Sequence, residues 1–103
     1  MDDKKLMHYA AIAYGAKKDH VFVEDCYYDP DCMDDRFWVP LGNDAHAFRI
    51  MSKLEIDVEW SANHVSAIHR STGKSSLEKK YGDPKECFRR AIVKCAASLV
   101  EEQ

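Results

Sequence analysis

The side chains best suited to chemistry are concentrated between residues 25 and 38. Carboxylates and aromatic rings stand close together there, around Pro30; the residues are Tyr27, Tyr28, Asp29, Asp31, Asp34, Asp35 and Trp38. Aromatic rings suit the desolvated centre of a protein interface, and carboxylates suit a basic partner. The pattern therefore predicts a partner-binding surface made of these residues. The alternative is that Phe37 and Trp38 close the hydrophobic core.

The same aspartates offer the oxygen ligands that Ca²⁺ prefers. Asp29 and Asp31 have the D-x-D spacing with which a calcium-binding loop begins. An EF-hand loop then needs a ligand at its fifth position and a glycine at its sixth, where this chain has Met33 and Asp34. We therefore expect a solvated acidic loop and no bound metal.

A second candidate site contains Arg70 and Lys74, in a segment rich in serine, threonine and glycine. Gly73, Lys74 and Ser75 resemble the end of a phosphate-binding P-loop. The first glycine of that motif would have to stand at position 68, which is Ile68, so the chain is not a nucleoside triphosphatase. Backbone amides of this segment, together with Arg70 and Lys74, are left as a candidate site for a small anion.

The chain has four cysteines, Cys26, Cys32, Cys87 and Cys95. Their spacings differ from the paired ligands of zinc sites, and the sequence marks no cysteine and histidine as a catalytic pair. On one helix, Cys87 and Cys95 would lie about 12 Å apart. That distance is too long for a disulfide bond. We expect four reduced thiols, no cofactor and no enzymatic activity.

Three helices are predicted from apolar residues that recur at intervals of three and four. They cover residues 3–16, 44–54 and about 84–100. Gly15 favours the end of the first helix. The second and third follow residues that cap helices well, Asn43 or Asp44 in one case and Asp83 in the other.

A β-hairpin is predicted directly after the second helix, with strands at about 56–61 and 64–70. Ile56, Val58 and Trp60 alternate with polar residues, which is typical of a strand with one buried face. We therefore expect Trp60 to be a core residue that packs against residues such as Phe88.

The remaining segments have weaker patterns. Residues 20–24 and 36–39 are each predicted to be a short edge strand or an extended loop. Residues 25–35 are predicted to be a loop. The segment 71–82 is predicted to be a mobile connection with a helical turn at 77–81.

These elements predict a single α+β domain over residues 1–103, in which a small antiparallel sheet is sandwiched by about three helices. The chain has 15 Lys and Arg against 18 Asp and Glu, and a formal net charge of -3. That balance argues against non-specific binding of nucleic acids. The longest apolar run near the start, Tyr9–Tyr14, is too short for a signal peptide or a membrane span. We expect a cytoplasmic protein without membrane contact.

Two stretches carry a family resemblance. The first is PLGNDA at residues 40–45, followed by Ala47, Phe48 and the strand at 56–60; the second is CFRRAIV at residues 87–93, after an acidic and proline cap. Together they resemble the small phage α-β-α sandwich family, which includes the NinX-like phage and prophage proteins. The resemblance implies a bacteriophage accessory protein that acts inside the bacterial host, without an established enzymatic activity or cofactor.

The functional expectation combines the resemblance with the acidic and aromatic residues. We expect a non-enzymatic accessory protein that binds a host protein, for example to counter a host defence. The acidic loop at 25–35 is longer than that family leads one to expect, which leaves room for a role particular to this protein. The alternative is a small-molecule binder that holds an anionic metabolite or nucleotide with Arg70 or Lys74.

Overall fold

The computed structural model describes residues 2–19, 26–31, 37–80 and 82–100. In these ranges the elements are α1 (Asp3–Tyr14), β1 (Lys17–Asp19), β2 (Cys26–Tyr28), α2 (Asp44–Leu54), β3 (Ile56–Trp60), β4 (His64–His69), β5 (Ser75–Lys79) and α3 (Pro84–Ser98). Three helices and an antiparallel sheet confirm the predicted α+β class. The expectations for residues 20–24 and for Asp34 and Asp35 lie outside the described residues.

Each helix begins at a residue whose side chain accepts a hydrogen bond from a free backbone amide. Asp2 accepts from the Lys5 amide at 2.8 Å, and Asn43 and Asp83 cap α2 and α3 in the same way. At the other end of α1, Gly15 adopts the left-handed backbone conformation, with φ of 96°, and its amide donates to the Ala11 carbonyl. The helices therefore begin where the sequence predicts them.

The main sheet has the strand order β3-β4-β5, and both pairs of strands are antiparallel. The predicted hairpin is confirmed, with Ile56 opposite His69 and Trp60 opposite Val65. The predicted mobile connection with a helical turn at 77–81 is wrong, because residues 75–79 form the third strand. This strand has little apolar character of its own and depends on pairing with β4 and on contacts with α3.

A second, two-stranded sheet joins β1 to β2, with Lys17 opposite Tyr28 and Asp19 opposite Cys26. The prediction that the whole of 25–35 is a loop is therefore wrong for residues 26–28. Two strands of three residues are marginal by themselves. The aromatic residues near β2 pack against α1, and this packing supports the pair.

Helix α3 forms the centre of the protein. It contacts all three strands of the main sheet on one side and α1 and α2 on the other. Its fully buried residues are mostly small, and they are Ala91, Ile92, Val93, Cys95, Ala96 and Ala97. Small side chains allow neighbouring elements to approach the helix closely, so α3 joins the layers into one core.

Trp60 differs from its prediction as a core residue. The alternation of β3 has the predicted phase, because Ile56 is buried whereas Asp57 and Glu59 are exposed. Trp60, however, is 51% exposed. It is the last residue of β3, where the strand reaches the beginnings of α2 and α3. The predicted contact with Phe88 exists, but at the surface, with parallel rings whose centroids are 6.3 Å apart.

Cys87 and Cys95 are buried, and both carry reduced thiols, as predicted for this pair. Burial raises the pKa of the Cys95 thiol to about 11. Because the thiolate is the reactive form, iodoacetamide at about pH 8 should modify neither cysteine in the folded protein and both after unfolding. Mass spectrometry of the two samples measures the modification, and rapid modification of Cys95 in the folded protein would contradict its buried position.

The free state of Cys26 and Cys32 stays a prediction, because the Cys26 side chain and Cys32 lie outside the described residues.

Candidate functional site

A surface cavity of about 480 Å³ opens where the first turns of α2 and α3 meet the end of β3. It is mostly apolar, and its lining residues are Asp44, Ala45, Phe48, Trp60, Pro84, Lys85 and Phe88. We call this cavity the aromatic groove. Its volume lies within the range of known ligand and side-chain binding sites.

The chain path explains why these distant residues meet. A single residue, Glu55, separates α2 from β3, and its left-handed conformation, with φ of 55°, reverses the chain. Strand β3 therefore runs back along α2, so that its last residue, Trp60, reaches the helix near Phe48. The second turn of α3 then adds Phe88 to the other wall of the groove.

Three aromatic rings dominate the groove. Phe48 is 56% exposed, Trp60 is 51% exposed, and Phe88 is half-buried beneath Trp60. Single exposed apolar side chains are common on protein surfaces, but adjoining large ones mark sites where another molecule binds. The groove is therefore the strongest candidate for a binding site among the described residues.

The rim of the aromatic groove is positively charged. Its acidic residue Asp44 is neutralised by Arg89, whose Nη1 lies 2.7 Å from the Asp44 Oδ1 atom. The Lys80 ammonium lies 5.3 Å from the centre of the Trp60 ring, and Lys85 stands at the edge of the groove. Within the described residues, neither of these lysines forms an ion pair. The carboxylate of Asp83 caps α3 at the Lys85 amide.

A second cavity of about 480 Å³ lies on the other side of Phe48. At its floor the Tyr14 hydroxyl donates to the Asp29 carboxylate at 2.6 Å, and the Asp31 amide donates to the other Asp29 oxygen at 2.9 Å. Arg49 Nη1 lies 3.7 Å from Asp29. Burial and the bond to Asp29 raise the pKa of Tyr14 well above its usual range. These contacts join α1 and α2 to the segment after β2.

The structure separates the predicted partner-binding residues into two groups. The predicted surface is wrong for Tyr27, Asp29 and Trp38, which are 8%, 1% and 1% exposed. Trp38 stacks on Tyr14, so the alternative that it closes the core is the correct one. Tyr28 is half-buried and Asp31 is exposed, while Asp34 and Asp35 lie outside the described residues. Partner binding by these four residues stays a prediction.

The predicted anion-binding residues both have partners within the chain. The Arg70 guanidinium binds Asp57 through two nitrogens, at 2.7 and 3.2 Å, and lowers the pKa of that carboxyl group. The Lys74 ammonium donates to the Ser98 carbonyl at the end of α3, at 3.1 Å. These contacts brace the sheet, and anion binding by either residue stays a prediction.

Within the described residues, no three histidine, cysteine or carboxylate side chains are grouped so that they could hold a metal ion. The helices in the described part of the chain are all too short or too polar to cross a bilayer.

Comparisons with protein-family models, with curated proteins and with solved structures find no match for this chain. The sequence contains one signal for the aromatic groove, which is a large aromatic residue outside the apolar stripe of α2. Ala47, Ile50 and Leu54 form the inward stripe of α2, and Phe48 lies about 100° away from Ala47 around the helix.

Proposed function

We propose that this chain is a non-enzymatic interaction protein that binds a segment of another protein through the aromatic groove. The segment would place one bulky apolar side chain between Phe48 and Trp60 and carry carboxylates beside it. The observation that carries this proposal is the pair of exposed aromatic side chains next to two lysines that form no ion pair with the described residues.

The apolar part of the proposal follows from desolvation. Covering Phe48 and Trp60 removes apolar surface from water, at about 25 cal/mol for each Å². Tryptophan in a pocket is also among the side chains that contribute most to binding at protein interfaces. Because Phe88 supports the Trp60 ring from below, that ring loses little freedom when a partner binds.

The charge of the partner follows from the rim of the groove. Although the whole chain has a net charge of -3, the groove carries the positive charges of Lys80 and Lys85, and Asp44 is neutralised by Arg89. Complementary charge increases the rate of association and excludes partners of the wrong charge. An acidic partner therefore fits this groove better than the basic partner that the acidic residues of the sequence favour.

The biological setting is a further part of the proposal. The resemblance to phage accessory proteins supports a host protein as the partner, encountered in the bacterial cytoplasm, with countering a host defence as one such role. This part rests on the resemblance alone and is independent of the groove.

The experiment uses an array of synthetic peptides with a central Phe, Trp, Leu or Ile, flanked by Glu in one set and by Lys in the other. We expect the acidic set to bind and the basic set not to bind. Trp60→Ala should weaken the best interaction about 30-fold, as expected for a residue at the centre of an interface. Fluorescence anisotropy of labelled peptides measures the affinities.

Leu77→Ala is the matched control, because Leu77 is 62% exposed but lies on the opposite face of the sheet. It should leave the affinity unchanged, and circular dichroism should show both variants folded. Equal binding of acidic and basic peptides would contradict the proposal, as would an equal loss in both variants. Binding of a nucleotide such as ATP in place of any peptide would favour the small-molecule alternative.

A further inference from the structure

Strand β3 lies at one edge of the main sheet, and its backbone pattern indicates which groups face outward. The Arg70 amide donates to the Glu55 carbonyl at 3.1 Å, and the Ser61 amide donates to the His64 carbonyl at 2.9 Å. In an antiparallel pair, alternate residues direct their N–H and C=O groups to the same side. The odd-numbered residues of β3 therefore bond to β4. The backbone N–H and C=O groups of Val58 and Trp60 face away from β4.

The bonds on the other side of β4 agree with this assignment. The His69 amide donates to the Lys74 carbonyl, and the Lys80 amide donates to the Asn63 carbonyl, both at 2.8 Å. Odd-numbered residues of β4 thus bond to β5, and even-numbered ones are left for β3. Within the described residues, no strand or side chain bonds to the outward groups of Val58 and Trp60.

This free edge adjoins the aromatic groove. The side chains of Val58 and Trp60 lie on the face of the sheet that the helices cover, and Trp60 lines the groove itself. A strand added beside β3 would direct every second side chain to the same face. Main-chain bonds to an edge and pockets for alternate side chains are the features by which extended peptides are recognised.

We infer that the partner segment binds as a fourth strand, added to the free edge of β3, with its apolar side chain in the aromatic groove. This inference rests on the proposed function. It specifies the extended conformation of the partner segment and the sequence pattern of its side chains. The other face of β3 carries Asp57, which is paired with Arg70, and Glu59, which is exposed. Residues of the segment on this acidic face should therefore be neutral. Those on the face of the groove should be acidic, apolar and acidic in turn, with the acidic residues beside Lys80 and Lys85. The resulting pattern is acidic, neutral, apolar, neutral, acidic.

The test uses a synthetic peptide with a Glu-Thr-Phe-Thr-Glu core and two methylated forms of it. Backbone N-methylation removes a hydrogen-bond donor, and only one alternate set of amides in an added strand faces β3. Methylating that set should weaken binding about tenfold or more, whereas methylating the other set should have little effect. Equal effects of the two modifications would overturn strand addition.

Hydrogen exchange of the full chain provides a second measurement. Without peptide, the amides of Val58 and Trp60 should exchange quickly, and those of Asp57 and Glu59 slowly, because only the latter bond to β4. Saturating peptide should slow exchange at Val58 and Trp60 about tenfold or more. If Trp60→Ala abolishes binding but these amides do not slow, the groove proposal stands and strand addition fails. If the peptides with acidic flanks do not bind at all, both fail.

Discussion

Replacing Trp38 with Ala will lower the free energy of unfolding by about 3–5 kcal/mol, the range observed when large aromatic residues are removed from cores. The side chain is only 1% exposed. Its ring stacks on Tyr14, with centroids 5.4 Å apart, and meets the Tyr27 ring edge-on at 6.3 Å. Alanine would leave a cavity between α1 and β2. Urea unfolding followed by circular dichroism measures the loss.

The neighbouring residue provides the control. Phe37 is 39% exposed, so Phe37→Ala should change the free energy of unfolding by only about 0.5 kcal/mol. Trp60→Ala is a second comparison, because it removes the same side chain from a half-exposed position and should cost about 1 kcal/mol. If Trp38→Ala unfolds at the same urea concentration as the parent, Trp38 does not close the core.

The two tryptophans illustrate what local sequence patterns can decide. Trp60 continues the alternation of a strand, which correctly predicts the face it occupies. Its burial depends on whether a helix extends over the end of that strand, and this is a property of the tertiary structure. Trp38 stands after a run of aspartates, so its surroundings resemble a surface loop. Its amide bonds to the Tyr27 carbonyl at 2.8 Å, which holds it beside β2 and against α1.

Strand β5 is not predicted from the sequence, for a related reason. The three helices and the hairpin each have an apolar period that a short window of sequence reveals. Strand β5 has only Leu77, which is exposed, and its buried position is occupied by Glu78. That carboxylate lies 2.8 Å from Lys94 and 3.6 Å from Arg90, both on α3. A strand that is fixed by charged contacts with a distant helix has no local signature.

The aromatic groove was beyond sequence reasoning because three separate elements contribute to it. Phe48 lies on α2, Trp60 on β3 and Phe88 on α3, and only the reversal of the chain at Glu55 brings the first two together. The sequence indicates at most that Phe48 is off the inward stripe of its helix. The sequence pattern instead favours the concentration of aspartates as the binding surface, although Asp29 is buried.

The sequence pattern places Asp29 at the surface, whereas the structure buries it. Among the aspartates, Asp29 is therefore the one whose replacement should affect stability most. Its carboxylate accepts hydrogen bonds from the Tyr14 hydroxyl and the Asp31 amide and lies 3.7 Å from Arg49. Asp29→Ala would leave the buried Tyr14 hydroxyl without its acceptor and remove the negative charge near Arg49. Because a donor inside the protein that loses its acceptor costs about 1–3 kcal/mol, and both the Tyr14 hydroxyl and the Asp31 amide lose theirs, we expect the free energy of unfolding to fall by about 3 kcal/mol.

A double-mutant cycle with Tyr14→Phe separates the interaction from the general cost of changing Asp29. Tyr14→Phe retains the ring that stacks on Trp38 and removes only the hydroxyl that bonds to Asp29. If the stranded hydroxyl causes part of the loss, Asp29→Ala should cost about 1 kcal/mol less in the Tyr14→Phe background.

The exposed carboxylate of Asp31 offers a matched comparison, since Asp31→Ala removes only a surface ion pair with Lys53 and should cost less than about 1 kcal/mol. Equal losses for Asp29→Ala and Asp31→Ala would show that Asp29 acts at the surface, as the sequence pattern alone predicts.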